Sequence, residues 1–300
     1  MVVHEQITVV GDGLLVLAPA KINLSLLIAG RRPDGFHEID TIMAKINWYD
    51  EILIERGQRD GIELICKGPH WAPQGRDNLV WRAAEILLGG WRPMPAVRIT
   101  LTKNIGAGTG LGSASSDAAA TLIGLRQYLK LNLDKKYLFD AAANLGSDVA
   151  FFLSGPLARC RGKGEKIEKI GGNFNFTALL LLPDVSVSTQ KVYANYRHRP
   201  ALYEKLSARI SSYIREKRID LITKMCANML EESCFDLAAS LAELKEESGS
   251  LGIGSFCLSG SGSAMFCIVD SGDERQVGDY KRRLEEKLGC KCIVVANNRW

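Results

Sequence analysis

A fourteen-residue stretch, Asn104, Ile105, Gly106, Ala107, Gly108, Thr109, Gly110, Leu111, Gly112, Ser113, Ala114, Ser115, Ser116 and Asp117, holds four glycines and four hydroxyl residues. Glycine lets a backbone curl until successive N–H groups converge on one point. The Ala-rich run that follows opens a helix, whose N-terminus adds partial positive charge. Together these make a cradle for phosphate. The serine hydroxyls can donate to phosphate oxygens or help hold Mg²⁺. No lysine follows the glycines, so this is not a Walker A loop, and no third glycine completes a dinucleotide fingerprint. A flexible linker would not run into so regular a helix, and a tight turn needs one or two glycines. Residues 106–116 are therefore the expected phosphate-binding segment.

Asp148 follows a Gly-Ser pair and precedes the apolar run 149–153. An unpaired buried carboxylate is costly, so it is a helix N-cap worth ~1 kcal/mol or a functional acid. The residues leave both open. Lys21 lies in an apolar strand; it either faces outward or points into a cleft, where its charge would polarise a substrate hydroxyl. Asn23, two along, shares its face. Phe36 and His37 end a Pro-Asp-Gly turn and either cover the core or offer a stacking face and a donor–acceptor edge to a pyrimidine. On the residues alone, core cover is favoured. Thr189 is a substrate contact or, with Ser188, a helix N-cap; Asp117 reads as a cap or dipole partner. Trp71, Trp81 and Trp91 read as packing.

These residues need elements to hold them. Partly alternating runs rich in Ile, Leu and Val predict strands over 14–18, 22–29, 39–47, 51–55 and 62–67, with turn chemistry at 32–35 and 60–61. A helix is predicted over 77–88, a strand over 96–102 leading into the glycine loop, and a helix from 115 to about 129. Another helix spans 135–144, with strands near 157–161 and 178–182. From 190 to 247 the pattern is helical with short breaks; the end reads strand 254–258, strand 264–269, helix 274–287 and strand 291–296. Two α+β lobes account for this order, 1–165 and 166–300, with the division between 155 and 183.

With 300 residues, 46% hydrophobic and 24% charged, the chain has a globular composition, which excludes disordered and collagen-like classes. The longest apolar run, 177–185, is broken by Pro183 and Asp184 and falls short of the ~20 residues of a membrane span. No leader pattern precedes it. A cytoplasmic protein with no membrane partner is expected. A net charge of +4 suits anionic small molecules but is too mild and dispersed for nucleic acid. The eight cysteines are expected as free thiols, with Cys66, Cys226, Cys257 and Cys267 acting as small buried hydrophobes. The four histidines show no HxH or HExxH spacing, so no protein metal site is expected.

The loop core Gly110-Leu-Gly112-Ser113 with Ser115-Ser116 resembles the phosphate loop of the GHMP small-molecule kinases, and Leu258-Ser-Gly-Ser-Gly262-Ser-Ala264 is similar to their third motif, a glycine-serine turn between strands. Within that family, four further segments resemble the 4-diphosphocytidyl-2-C-methyl-D-erythritol kinases. They are Ala18-Pro-Ala-Lys-Ile-Asn-Leu24, Gly30-Arg-Arg-Pro-Asp-Gly-Phe-His-Glu38, residues 145–153 and residues 183–189, and they fall in the expected order. The resemblance implies a two-lobed GHMP kinase fold, with a ribosomal-S5-like N-terminal lobe and a ferredoxin-like C-terminal lobe. It implies an ATP- and Mg²⁺-dependent kinase of the 2-hydroxyl of that cytidine-linked polyol, in the non-mevalonate isoprenoid precursor pathway. It also implies Asp148 as the base with Lys21 beside it, and Asn23 and Thr189 as substrate contacts. Phe36 and Tyr193 would sandwich the cytosine while His37 reads its edge. A monomer or weak homodimer is the matching assembly. A mevalonate- or homoserine-type GHMP kinase and a non-catalytic nucleotide sensor are the rivals; the presence of both Lys21 and Asp148 argues against the sensor. Gly106 stands where the family has proline, Ser113 and Ala114 where it has glycines, and Ala150 where it has proline. The first three bear on loop geometry.

Overall fold

The computed structural model of the chain describes residues 6–172, 174–269 and 273–300; residues 1–5, part of the stretch read for a leader, lie outside it. Apolar runs form the first sheet. β1 (Ile7–Val10) and β2 (Gly13–Arg31) make a hairpin, and β3 (His37–Arg56) returns antiparallel to β2. Then come β4 (Gly61–Lys67), α1 (Leu79–Leu88) and β5 (Ala96–Thr102). The glycine loop opens into α2 (Ser113–Tyr128), followed by α3 (Lys135–Leu145), the one-turn α4 (Val149–Phe152) and the hairpin of β6 (Leu157–Gly162) with β7 (Lys166–Lys169). The sheet runs β1-β2-β3-β5-β4, with β6 on the other half of β3.

The chain continues through β8 (Thr177–Leu182), α5 (Thr189–Asn195), α6 (Pro200–Arg215), α7 (Ile219–Met225), β9 (Ala227–Asn228), α8 (Glu231–Leu237) and α9 (Ala239–Ser250). It ends with β10 (Cys257–Leu258), β11 (Met265–Val269), α10 (Glu274–Leu288) and β12 (Lys291–Ala296). β10-β11-β8-β12 form a second, antiparallel sheet. The architecture is α+β, as expected.

β2 and β3 are each one long strand where two shorter ones are predicted. Register shifts beside Pro19, between Asn23 and Ser25, and between Ile28 and Gly30 let β2 run on through its proline. The first sheet continues through β7, a few residues beyond 165, and the second begins at Thr177. β9 then crosses back to pair with β2, and Asn297 bridges to Ile46, so the lobes are joined at several points.

Side-chain periodicity divides the core. Along β8, Ala178 and Leu180 join one core with Ala20, Ile22 and Leu24 of β2, while Leu179 and Leu181 join another with Val277 and Leu284 of α10. Burial on both sides explains the unbroken apolar run of β8. Ala20, Ile22 and Leu24 of β2 join the inter-lobe core with Ile105 and Leu111, which anchors the glycine loop to that seam. The α1, α2 and α3 helices cover the opposite face of the first sheet.

Two expectations are corrected. Cys226 and Cys257 form a disulfide; the left-handed turn at the end of α7 brings their Cα atoms to 5.0 Å, within bridging range. Composition speaks to compartment, not to this proximity. Cys66 is half-buried and takes a hydrogen bond from Asn78, whereas Cys267 is buried as expected. Trp71 and Trp91 are exposed, at 78% and 47%, and so do not serve as packing.

Candidate active site

Gly108, Gly110 and Gly112 take φ of +74°, +76° and +70°, the left-handed region that other residues avoid. Close approach also demands glycine. A Cβ on Gly110 would sit 2.1 Å from the Ser259 carbonyl oxygen, and one on Gly112 would sit 3.0 Å from Lys21 Cγ. The loop carbonyls are tied outward. Thr109 C=O accepts from the Ala264 N–H at 3.1 Å, Gly110 C=O from Ser259 Oγ at 3.0 Å, and Leu111 C=O from the Lys21 N–H at 2.9 Å. None of the N–H groups from Gly106 to Gly112 donates to another described residue. Seven adjacent donors without partners are what an anion cradle requires.

The 258–264 turn is the clamp that holds this loop. Asn228 at the end of β9 fixes the turn in its place, donating to the Leu258 and Gly260 carbonyls at 2.9 and 2.8 Å. Not every predicted loop residue faces the cavity. The Leu111 side chain enters the core, and Ser116 is buried behind the loop with its hydroxyl unpartnered. The Thr109 hydroxyl is spent on Gly106 C=O at 2.9 Å.

Ser113 and Ala114 lie in the first turn of α2, which starts two residues earlier than predicted. Helical angles suit both, so their replacement of glycine leaves the loop intact. The Ser113 hydroxyl turns inward to Lys103 at 2.9 Å, and Lys103 also bonds Asp50 at 2.6 Å and Asp117 at 2.5 Å. Asp117 is thus neither cap nor dipole partner but part of a buried charged cluster. Burial pushes its carboxyl well above the usual range, opposed by Lys103. Asp50 accepts the Asn104 and Ile105 N–H groups at 2.6 and 2.8 Å, which fixes the loop's entry. Sequence reasoning missed Asp50 and Lys103.

Lys21 faces inward, 3% exposed, and contacts the Asn23 side-chain amide oxygen Oδ1, Gly110 C=O at 2.8 Å and Asp148 at 3.9 Å. Burial lowers its pKa from the usual 10.5, and Asp148 offsets part of that. Asn23 is held in turn by its amide on Thr41 Oγ1 at 2.8 Å. Asp148 occupies the N-cap position of α4 yet accepts no capping hydrogen bond, which leaves its carboxylate to the cavity. Ser188 is the cap of α5, while Thr189 turns its hydroxyl to Ser261 at 2.8 Å.

Two cavities meet at Asp148. One, about 270 Å³, is walled by the glycine loop, Lys21, Asn23 and Ser261. The other, about 950 Å³, is walled by Phe36, His37, Tyr196 and Lys163. Ser147, Asp148, Thr189 and Tyr193 line both. The His37 ring lies 5.2 Å from Tyr193 and 5.8 Å, edge-on, from Tyr196. Phe36 is 59% exposed, with Lys163 Nζ 5.0 Å from its ring centre. Burial, then Arg31 and His198, lower the His37 pKa from 6.5, so near neutral pH its ring carries one donor and one acceptor. Burial, then Asp148, push the Tyr193 phenol up. Tyr196, Lys163 and His198 carry no motif that would have disclosed them.

Two family descriptions match the chain, "GHMP kinases N terminal domain" over residues 78–156 and "GHMP kinases C terminal" over 210–283. A 4-diphosphocytidyl-2-C-methyl-D-erythritol kinase of Geobacillus sp. is 36% identical over 85% of this chain and 88% of its own length. One from Acetivibrio thermocellus is 33% identical over 87% and 91%. The chain belongs to the GHMP kinases, in the 4-diphosphocytidyl-2-C-methyl-D-erythritol kinase family. The crystal structure of a 4-(cytidine 5'-diphospho)-2C-methyl-D-erythritol kinase superposes on this GHMP kinase with a TM-score of 0.74 at 31% identity, covering 95% of this chain and all of that one. Homoserine kinase from Cytophaga hutchinsonii, at 17% identity and TM-score 0.73 over 97% of each chain, shares the fold.

Proposed function

We propose that this GHMP kinase transfers the γ-phosphoryl group of ATP to the 2-hydroxyl of 4-diphosphocytidyl-2-C-methyl-D-erythritol. The observation that carries the reading is Asp148 at the junction of the two cavities, with the unpartnered loop N–H groups on one side and the aromatic cluster on the other. The loop holds the ATP phosphates. Asp148 takes the proton of the attacking hydroxyl as its oxygen bonds to phosphorus and the bond to ADP breaks. Lys21 sits beside the reacting groups and faces the negative charge that builds there. Tyr193 and Phe36 stack on the cytosine and the neutral His37 reads its edge, with Asn23 and Thr189 contacting the polyol. Binding at that remote end aligns the hydroxyl.

Among the described residues no group of three or more His, Cys, Asp or Glu could hold a metal. Ser115 is a hydroxyl donor on the nucleotide cavity wall, which fits Mg²⁺ bound mainly by phosphates and water. When bound, Mg²⁺ neutralises charge on the transferring phosphates. No described helix is long and apolar enough to cross a membrane. A cytoplasmic monomer or weak homodimer without nucleic-acid partners accompanies this reading.

Coupled ADP release with Mg-ATP and four acceptors tests it: the cytidine-linked methylerythritol, mevalonate, homoserine and galactose. Turnover is expected on the first alone. Asp148→Asn is expected to lower kcat by roughly 10²–10⁴-fold with the ATP KM unchanged. Turnover on another acceptor overturns the substrate; ATP binding without turnover on any overturns the kinase.

A further inference from the structure

β2 and β3 place two lysines directly opposite one another, Lys21 paired with Lys45. Cross-strand partners project to the same face of a sheet, with Cβ atoms about 5 Å apart. Both side chains are buried, and both reach the same element, α4. Lys21 meets Asp148 at its N-terminal end. Lys45, 1% exposed, donates to the Phe152 and Ser154 carbonyls at its C-terminal end, each at 3.0 Å. Its ammonium also lies 5.9 Å from the Phe151 ring centre.

Among the described residues no carboxylate lies within ion-pair distance of Lys45, so its positive charge is balanced only by carbonyl dipoles and an aromatic face. Burial, with Lys169 adding like charge, lowers its pKa to about 7. Packing alone does not call for such a residue, because methionine would fill the space without desolvating a charge. The carbonyl contacts do call for it. A single helical turn has almost no internal hydrogen bonding to hold its direction. Its last carbonyls have no partner within the helix, and lysine is a suitable donor to them. Lys45 also sits rigidly: its N–H donates to Pro156 C=O and its C=O accepts from the Asn298 N–H, each at 2.8 Å.

We propose that Lys45 is a positioning residue for phosphoryl transfer, one that anchors the C-terminal end of α4 and thereby sets Asp148 at its working distance from Lys21. The inference rests on the reading of Asp148 as the base. The test is a double-mutant cycle of Lys45→Met and Asp148→Asn, with kcat, both KM values and thermal unfolding measured for each protein. A misplacement near 1 Å can cost up to about 100-fold in rate. Lys45→Met alone is therefore expected to lower kcat by about 10- to 100-fold. Both KM values should stay within about 2-fold, and the protein should remain folded well above the assay temperature, so that lost folded protein does not account for the fall. In the Asp148→Asn background the same substitution is expected to change kcat by less than about 2-fold, because the residue it serves is gone.

An equal loss in both backgrounds, or no loss in either, overturns the positioning role. So does a fall in kcat that merely tracks lost folded protein. If Asp148→Asn alone leaves kcat intact, it is the base reading that fails. Should Lys45→Met not fold, Lys45→Leu, which likewise removes the donor to both carbonyls, carries the same cycle.

Discussion

At the glycine-loop end of the cleft, proposed to take the nucleotide, the contacts that shape the loop are made largely by backbone: positive φ at three glycines, carbonyls tied to Lys21, Ser259 and Ala264, and N–H groups left open. Beneath it, Lys103, Asp50 and Asp117 lock the loop's entry and the first turn of α2 from inside the core. The aromatic end, proposed to take the acceptor, is built instead from side chains at a turn and the end of a short helix, with Phe36 exposed and His37 set between two tyrosines. A phosphate is the same in every substrate, so a fixed backbone cradle serves it. On the proposed reading a base and a polyol must be told apart from others, and side chains that can differ between relatives with one fold would supply that selectivity.

The sharpest way to break this contrast is at the buried cluster. Lys103→Met leaves two carboxylates without their cation and is expected to destabilise the fold by about 3–5 kcal/mol. Urea unfolding would read it, and a loss below about 1 kcal/mol would mean the cluster is not what locks the loop. Gly110→Ala comes next, since its Cβ meets a backbone oxygen and its φ is unfavourable. A cost of about 1–3 kcal/mol, seen as about 10-fold or greater weakening of ATP binding with the acceptor KM unchanged, is expected from titration calorimetry. At the other end, Tyr193→Ala should raise the acceptor KM about 10-fold, from lost stacking, and leave the ATP KM alone. Equal changes in both would erase the distinction between the ends. The smallest effect is in pH. His37 holds its neutral form more firmly than an ordinary histidine, so the acceptor KM should rise only as pH falls below 6.5. His37→Asn should flatten that limb, and a limb that persists would belong to another group.

How far each end could be read from the sequence follows from how it is built. Glycine's backbone freedom is local, so the loop, β4 and β5 are legible within a residue or two. The division of 190–247 into five helices broken by β9 is not, because β9 exists only through its pairing with β2. The Lys103 cluster draws on residues 53 and 14 positions apart, and no short pattern joins them. At the acceptor end, the residues alone favour a packing role for Phe36; the family resemblance is what pointed it and Tyr193 toward a base.

By itself, the sequence determined the α+β class, most of the strands and helices, and a curled glycine loop at a helix start, since those follow from propensity, periodicity and the φ that glycine permits. Tertiary structure decided whether Lys21 faces solvent or cleft, whether Asp148 caps a helix or opens to a cavity, and that Lys45 stands beside Lys21 under the same turn. It also paired Cys226 with Cys257, against composition. Each of these depends on desolvation and on partners brought close by the fold, and neither is a property of neighbouring residues.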